Sequence, residues 1–167
     1  MKILMTGAKG LLGTELRKHI KCIPFDIADF DITDEAKVKK VFTKIRPDIT
    51  VHLAAIVSAI DAEKNRKKAV EVNVEGTRII ATYSKHIIYL STDYVFDGEK
   101  GMYKEDDLPL PRTFIGMTKL MGEYQTYNAE RHTIIRTSFK PIPYKHDQAP
   151  HDMYTSADYV PVIASLI

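Results

Sequence analysis

Three glycines near the start of the chain have the spacing of a phosphate-binding turn. Gly7, Gly10 and Gly13 form Gly-x-x-Gly-x-x-Gly directly after the apolar run at residues 2–6. Gly7 permits a tight turn at the end of a strand, Gly10 lets backbone approach a pyrophosphate, and Gly13 lets a helix pack closely on the strand. The N-terminus of that helix offers free N–H groups to phosphate oxygens. The motif therefore predicts a dinucleotide-binding turn.

An acidic residue follows where such a turn expects a ribose contact. Asp26 closes the second apolar run, residues 22–25, at about 20 residues from the glycines. A carboxylate there can accept hydrogen bonds from both ribose hydroxyls and would repel a 2′-phosphate. Asp26 thus favours NAD, although Lys9 inside the glycine turn could offset this by pairing with a phosphate. The sequence predicts NAD or NADP as cofactor, with NAD favoured.

Apolar runs alternate with stretches of helical periodicity, which predicts an α/β fold. The predicted strands are residues 2–6, 22–25, 49–55, 86–90 and 133–136. The predicted helices begin near residues 11, 33, 61 and 113. This alternation predicts a Rossmann-type, doubly wound parallel sheet with helices on both faces. We expect strand order 3-2-1-4-5, with the dinucleotide at the switch between strands 1 and 4.

The chain divides into two unequal regions. Residues 1–138 carry the alternating elements and are predicted to form an NAD(P)-binding Rossmann domain. Residues 139–167 are predicted to be a partial substrate-binding region, with a loop over 139–154 and a helix that Thr155 and Asp158 would begin. That helix is apolar to its end, without a capping glycine or basic residue. We therefore expect that the C-terminal substrate region is short or missing, or that a partner covers the helix.

Composition and charge argue against several classes of protein. The chain of 167 residues has 24 basic and 22 acidic side chains, a balance that does not support nucleic-acid binding. Cys22 is the single cysteine, so no internal disulfide is expected. The longest apolar run, Leu53–Ile60, is shorter than the roughly 18 residues of a membrane span. The start of the chain lacks the apolar core of a signal peptide. We expect a cytoplasmic protein that binds neither nucleic acid nor membranes.

A cluster of possible metal ligands lies in the late loop. It consists of His146, Asp147, His151 and Asp152. Neither an HExxH pattern nor paired CxxC motifs occur in the sequence. We interpret these residues as part of a polar loop and predict no metal site.

Six segments of the sequence form a recognisable set: GAKGLLG (7–13), FDIADFDITD (25–34), HLAA (52–55), VNVEGT (72–77), STDYVFDG (91–98) and TKLMGE (118–123). Together they resemble the extended short-chain dehydrogenase/reductase superfamily, and within it the dTDP-4-dehydrorhamnose reductase type. The glycine motif is shared across the superfamily, whereas STDYVFDG is more specific. The resemblance implies an NAD(P)-dependent oxidoreductase or epimerase acting on a nucleotide-activated sugar by hydride transfer at a C4 carbonyl. It also suggests homodimers.

The resemblance assigns roles to residues of this sequence. Cofactor contacts are implied for Leu11 and Leu12 at the pyrophosphate, Asp31 and Ile32 at the adenine, and Leu53, Ala54 and Ala55 on the path to the nicotinamide. Thr92 would hydrogen-bond the reacting carbonyl or hydroxyl. Lys119 would bind the nicotinamide ribose and, in family members, lowers the pKa of a tyrosine four residues before it.

That tyrosine is absent here. The residue four positions before Lys119 is Ile115, in a segment that otherwise matches. Loss of a general acid slows proton transfer on the order of 10²–10⁴-fold. Three explanations stay open. Tyr94 or Asp93 could replace the acid, with Tyr124 a poor candidate; Ile115 could be a variation of this sequence; or the chain could be a catalytically silent, dinucleotide-binding regulatory subunit, as one subunit of methionine adenosyltransferase resembles this family.

Overall fold

The structure is a computed structural model that describes residues 1–142 and 157–167. The predictions made for His146, Asp147, His151, Asp152 and Thr155 fall on residues outside these ranges and stay predictions. Within the described residues, no helix has the length and apolar character needed to cross a bilayer.

Parallel strands and helices alternate, as the sequence predicts. In the part of the chain that the structure describes, the main sheet has five strands: β1 Ile3–Thr6, β2 Ile23–Phe25, β3 Ile49–His52, β4 His86–Ser91 and β5 Arg131–Arg136. The helices are α1 Leu11–Leu16, α2 Glu35–Ile45, α3 Ala59–Lys64, α4 Arg66–Val70, α5 Thr77–Thr82, α6 Phe114–Gln125 and α7 Val160–Leu166. A π-helical segment, Glu71–Gly76, joins α4 to α5, and 3-10 turns cover Asp93–Val95 and Thr126–Asn128. A small second sheet pairs β6 Phe139–Lys140 with β7 Asp158–Tyr159.

The strand order is β2-β1-β3-β4-β5, so the predicted order 3-2-1-4-5 is wrong. β3 pairs with β1 on one side and with β4 on the other. Residues 26–34 form turns rather than a strand on the outer side of β2. Pro24 of β2 has no N–H to donate, which suits an edge strand. From β1 the chain adds β2 on one side and then β3 on the other. The order of strands therefore reverses between β1 and β3, and the glycine turn follows β1 at that switch.

Helices cover both faces of the sheet, which confirms the doubly wound fold. Leu4 and Met5 are adjacent on β1, so their side chains point to opposite faces of the sheet. Both are fully buried, so both faces are covered. Leu4 packs in a cluster with Val38 of α2 and Ile80 of α5. Met5 packs in a second cluster with Leu16 of α1 and the apolar side of α7.

The helical stretch predicted from residue 61 is divided in the structure. α3 ends at Asn65, whose side-chain oxygen accepts a hydrogen bond from the Lys68 N–H at 3.1 Å and caps α4. The π-helical segment then follows α4. π-helical turns inside helices are frequent at functional sites. Here the segment brings the Asn73 side chain against the chain that follows β3.

The C-terminal elements differ in detail from the prediction. β6 forms the first two residues of the predicted loop over 139–154. Asp158 lies in β7, and Tyr159 is the N-cap of α7, so the predicted cap by Asp158 is wrong. Ile163 and its apolar neighbours on α7 pack with Leu12 and Leu16 of α1. The apolar face of α7 is thus covered by α1 of the same chain.

Candidate functional site

The predicted site residues meet at one edge of the sheet. Gly7 follows β1, Asp26 follows β2, Leu53 follows β3 and Thr92 follows β4. These strands are parallel, so their carboxyl ends lie at the same edge. Lys119 lies on α6, which packs against β4 through the Tyr89 hydroxyl. In open α/β sheets this edge is where ligands bind.

The glycine turn forms a backbone cradle. Gly7 has φ 68°, a left-handed conformation that favours glycine, and a Cβ there would lie 2.7 Å from the Ala54 nitrogen and 2.8 Å from the Leu53 carbonyl carbon. A Cβ on Gly13 would lie 2.8 Å from the Ala8 Cα. A Cβ on Gly10 would meet only the Gly7 oxygen, at 3.2 Å. Gly7 and Gly13 are thus required by the fold, while a side chain on Gly10 would meet only one protein atom, the Gly7 oxygen, so the turn is open on that side.

Asp26 ties the end of β2 to this cradle. Its Oδ2 accepts a hydrogen bond from the Lys9 N–H at 2.9 Å, and its Oδ1 accepts one from the Ile27 N–H at 2.9 Å. A carboxylate oxygen has two lone pairs, so each oxygen retains capacity for a ribose hydroxyl. The Lys9 side chain is exposed beside it. The arrangement fits the predicted ribose contact.

The segment predicted at the adenine is held by local hydrogen bonds. Asp31 Oδ1 accepts hydrogen bonds from the Thr33 N–H at 2.9 Å and the Thr33 hydroxyl at 2.8 Å, and these bonds lower the pKa of the Asp31 carboxyl. The Ile32 side chain is buried and lies against Gly76, where a Cβ would be 2.7 Å from Ile32 Cδ1. Ile32 therefore offers a ligand its backbone rather than its side chain.

The loop after β4 is organised around the Thr92 hydroxyl. Thr92 Oγ1 accepts a hydrogen bond from the Tyr94 N–H at 3.2 Å and donates one to Asp93 Oδ1 at 3.2 Å. The same Asp93 oxygen accepts a hydrogen bond from the Ser138 hydroxyl. Gly116 of α6 packs against the Tyr94 carbonyl so closely that a Cβ could not fit. The start of α6 is thereby held next to Thr92.

Lys119 is a largely buried lysine whose ammonium has no acceptor among the described residues. Its side chain is 7% exposed, and its Nζ lies 4.2 Å from the centre of the Tyr89 ring. Among residues 1–142 and 157–167, Lys119 Nζ makes no hydrogen bond or ion pair, and no fully buried side-chain nitrogen lacks a partner, so this nitrogen is reached by solvent. Burial lowers the pKa of Lys119 to about 7, and the negative charge of Glu123 opposes this shift. An accessible ammonium without an acceptor among the described residues fits the hydroxyl groups of a nicotinamide ribose.

Ile115 occupies the position of the expected tyrosine. It is buried and packs with Ala62 and Ala69, beside Ile56 and Phe114. Its place one turn before Lys119 on α6 agrees with the alignment of the motif. The phenol is therefore replaced by a side chain that packs in an apolar cluster and carries no proton to donate.

The comparisons with known proteins agree with this geometry. The family model described as the RmlD substrate binding domain matches residues 1–141. The chain belongs to this family. A spore coat polysaccharide biosynthesis protein, SpsK, of Bacillus subtilis is 37% identical over 153 residues, which cover 83% of this chain and 53% of SpsK. A methionine adenosyltransferase 2 subunit beta of Danio rerio is 33% identical over 136 residues, covering 73% of this chain and 42% of the subunit.

A solved structure of this family also superposes on the chain. It is a dTDP-4-dehydrorhamnose reductase of Bacillus anthracis in complex with NADP, with TM-score 0.80 and 35% identity over 84% of this chain and 55% of that one. The chain thus spans about half the length of the relatives that it matches. The fold is that of the extended short-chain dehydrogenases/reductases, as the resemblance implies.

A buried polar network lies in this RmlD-type fold; the sequence predicts a structural hydrogen bond from Asn73 to a neighbouring strand or loop, but not the rest of the network. His52 Nδ1 lies 2.7 Å from Thr6 Oγ1, and His52 Nε2 lies 3.2 Å from Thr77 Oγ1. Thr77 donates its hydroxyl proton to the Asn73 carbonyl at 2.7 Å, so it accepts from His52 Nε2–H. The Asn73 amide also bonds both the N–H and the carbonyl of Ile56. HLAA and VNVEGT contain three of these residues, but periodicity alone treats them as core positions.

A second unpredicted cluster joins α6 to the ends of two strands. Glu123 is buried, accepts a hydrogen bond from the Ser91 hydroxyl, and pairs with Arg136 through two bonds of 3.0 Å and 2.8 Å. Arg136 also donates to the Glu105 carbonyl at 3.1 Å and lies 5.1 Å from the Phe96 ring. Ser91 directly precedes Thr92, so this cluster positions the loop after β4.

We expect His52 to make stability depend on pH. Burial and the charge of Lys119 lower the pKa of His52 to about 3 from the ordinary 6.5, so the folded chain excludes a proton that the unfolded chain binds. The contribution of neutral His52 is complete above pH 6.5 and is lost as pH falls from 6.5 towards 3, by about 1.4 kcal/mol per pH unit.

Urea unfolding of the wild type and of His52→Gln at pH 4, 5, 6 and 7 measures this contribution. The two proteins have the same carboxylates, so the difference between their slopes of unfolding free energy against pH gives the contribution of His52. The exposed His19→Gln serves as control. Equal slopes in all three proteins would contradict the assignment.

Proposed function

We propose that this chain is the dinucleotide-binding part of an NAD(P)-dependent reductase or epimerase that acts on a nucleotide-activated sugar. The observation that carries the proposal is the placement of the Lys119 ammonium, which has no acceptor among the described residues, at the sheet edge that also holds the glycine cradle. Such a pair of features matches the two ends of a nicotinamide dinucleotide. The reductase named for the Bacillus anthracis structure supports the substrate class.

Each site residue would have its own role in binding the cofactor or orienting the substrate. A bound nicotinamide supplies or accepts the hydride at the sugar carbon. The cradle around Gly10 holds the pyrophosphate, Asp26 holds the adenosine ribose and Lys119 the nicotinamide ribose. The Thr92 hydroxyl, when it turns away from Asp93, donates a hydrogen bond to the substrate oxygen. That bond orients the carbonyl and stabilises the negative charge that develops on its oxygen.

Asp26 is expected to set the cofactor preference towards NAD. Asp26→Asn removes the charge that repels a 2′-phosphate but keeps an oxygen to accept from the Lys9 N–H. We expect the affinity for NADPH relative to NADH to rise about tenfold, a change of about 1.4 kcal/mol. Calorimetry with both cofactors measures the ratio, with the exposed Asp106→Asn as control. An unchanged ratio would show that Asp26 does not select the cofactor.

A catalytically silent subunit is the second candidate. Ile115 favours it, since an isoleucine cannot donate the proton that carbonyl reduction requires. A methionine adenosyltransferase 2 subunit beta is also similar in sequence to this chain, so the similarity is not confined to proteins named as reductases. In this case the bound dinucleotide would stabilise the fold of the chain or a surface on it, and the cofactor would be neither oxidised nor reduced.

One pair of measurements separates the two candidates. Calorimetry with NADH and NADPH tests the binding that both require. Absorbance at the nicotinamide band then follows cofactor oxidation with a set of 4-keto nucleotide sugars, with wild type and Thr92→Ala in parallel. Oxidation that Thr92→Ala suppresses supports the reductase. Tight binding without oxidation supports the silent subunit, and absence of binding would refute both.

A further inference from the structure

The guanidinium of Arg136 is connected to the start of the segment that carries Thr92. Arg136 ends β5 and is the register partner of Ser91, the last residue of β4. Its Nε and Nη2 donate hydrogen bonds of 3.0 Å and 2.8 Å to the two carboxylate oxygens of Glu123. The same Glu123 Oε1 accepts the hydroxyl proton of Ser91. Because Ser91 directly precedes Thr92, a buried carboxylate ties this end of the segment to Arg136.

The other end of the segment lies against the same guanidinium. Phe96 follows Thr92 by four residues, and the centre of its ring lies 5.1 Å from Arg136 Cζ. The Phe96 ring also stacks on Tyr103, with the ring centres 4.5 Å apart and the planes inclined by 13°. Arg136 Nη1 donates to the Glu105 carbonyl at 3.1 Å, which holds the loop that continues from Phe96. A guanidinium can do this because it has both a fork of donors and a flat face.

The segment between these two anchors is a short 3-10 turn. The Tyr94 N–H donates to Thr92 Oγ1 at 3.2 Å, and the Phe96 N–H donates to the Asp93 carbonyl at 3.0 Å. These bonds are internal to the turn, so they give it a shape without fixing its place on the sheet. That place depends on the contacts at its two ends and on Gly116 of α6, which meets it in the middle. A shift at either end is therefore transmitted to the Thr92 hydroxyl.

We propose that Arg136 is a positioning residue, which holds the Thr92 hydroxyl where it can meet the substrate oxygen. The inference rests on the proposed reductase function, in which that hydroxyl orients the carbonyl and stabilises the charge on its oxygen. Such a donor is effective only when its position is fixed before the reaction. Arg136 fixes it from both ends, through Glu123 and through Phe96, and takes no part in the transfer of hydride or proton.

Arg136→Lys tests the proposal because it keeps a positive charge beside Glu123 but loses the two-bond fork and the flat face. The chain offers a matched control in Arg112→Lys. Arg112 pairs with Glu99, which is also 13 residues away, but both of these side chains are more than half exposed. The control therefore makes the same substitution in the same kind of pair, without contact to the Thr92 segment.

The first readout is amide hydrogen exchange of the free chain, followed by NMR, and needs no turnover. We expect the amides of Tyr94 and Phe96 to exchange about tenfold faster in Arg136→Lys, because the ends of their turn are released. The amides of β4, which pairs with a strand on either side, should exchange at the wild-type rate. A role in stability alone would instead raise exchange in β4 as well. Arg112→Lys should change neither group of amides.

Glu123→Gln releases the same anchor from its other side. It keeps an oxygen for the Ser91 hydroxyl but removes the charge that holds Arg136. We expect faster exchange at the same two amides of the turn. This variant provides the test if Arg136→Lys does not fold.

The second readout is the oxidation of NADH or NADPH with a 4-keto nucleotide sugar. Misplacement of a reacting group by about 1 Å can slow a reaction about 10²-fold, and the smaller shift expected in Arg136→Lys should lower kcat about tenfold. Calorimetry should show wild-type affinity for the cofactor. In a Thr92→Ala background Arg136→Lys should have no further effect on kcat, because the hydroxyl that it positions is gone. Arg112→Lys should match the wild type.

Different outcomes separate the inference from the function on which it rests. Unchanged exchange at Tyr94 and Phe96 in Arg136→Lys, or an equal rise throughout β4, overturns the inference whatever the activity. An effect of Arg136→Lys on kcat that is equally large in the Thr92→Ala background also overturns it and leaves the reductase function standing. Absence of oxidation by the wild type with every sugar refutes the reductase function and the inference together.

Discussion

Ile115→Tyr is expected to raise the rate of carbonyl reduction on the order of 10²–10⁴-fold. The substitution places a phenol one helical turn before Lys119, whose ammonium stabilises the phenolate and lowers the pKa of the phenol towards the working pH. The larger ring must fit among Ala62 and Ala69, so stability should fall by about 1–3 kcal/mol. Single-turnover oxidation of bound NADH or NADPH, with a 4-keto nucleotide sugar, measures the gain.

Ile115→Phe is the matched control for this substitution. It adds the same ring without the hydroxyl and should show the same loss of stability without the gain in rate. An equal gain in both variants would show that ring packing rather than proton donation is responsible. No gain in either would mean that the reacting carbon is not placed next to position 115, and the catalytically silent candidate would be preferred.

Gly10→Ala is expected to weaken dinucleotide binding at least about 100-fold while leaving the fold intact. A Cβ at this position meets only the Gly7 oxygen at 3.2 Å within the protein, but it occupies the space in front of the cradle. A methyl group there would crowd the chain only at the Gly7 oxygen, by a few tenths of an ångström, but it would stand where we place the pyrophosphate. Calorimetry with NADH and NADPH measures the loss, and thermal unfolding of the free chain checks that stability is unchanged.

Gly13→Ala provides the contrast. Its Cβ would lie 2.8 Å from the Ala8 Cα, inside the packing of α1 on the glycine turn. We expect a loss of stability of about 1–3 kcal/mol in addition to the loss of binding, because the turn must move. If Gly10→Ala destabilised the free chain as much as Gly13→Ala, the open space assigned to the pyrophosphate would not exist.

The sequence predicts the fold class because its signals are local. The glycine spacing, the apolar runs and the helical stripes each depend on a few neighbouring residues, and together they predict the doubly wound sheet that the structure shows. The predicted strand order is wrong because strand pairing depends on residues that are far apart in the sequence. β3 could not be placed beside β1 without knowing that residues 26–34 form turns and leave β2 at the edge.

The candidate site shows the same division. Gly7, Thr92 and Lys119 carry recognisable motifs, and the structure brings them to one edge. The partners that hold them in place were not visible in the sequence. Glu123 and Arg136 pair across 13 residues, and His52 reaches Thr77 across 25, so each pair depends on how helices pack on the sheet. The packing of Lys119 against the Tyr89 ring, which buries most of its side chain, likewise exists only in three dimensions.

The glycine turn is held by its neighbours before any ligand arrives. The Lys9 N–H is fixed by Asp26, the Gly10 N–H donates to the Gly7 carbonyl at 3.1 Å, and Gly7 lies against the backbone of Ala54. A preorganised surface of this kind loses little backbone entropy on association, so a larger share of the interaction energy remains as affinity. We therefore expect the turn to have nearly the same conformation with and without cofactor. We also expect the dissociation rate, rather than the association rate, to limit exchange of the cofactor.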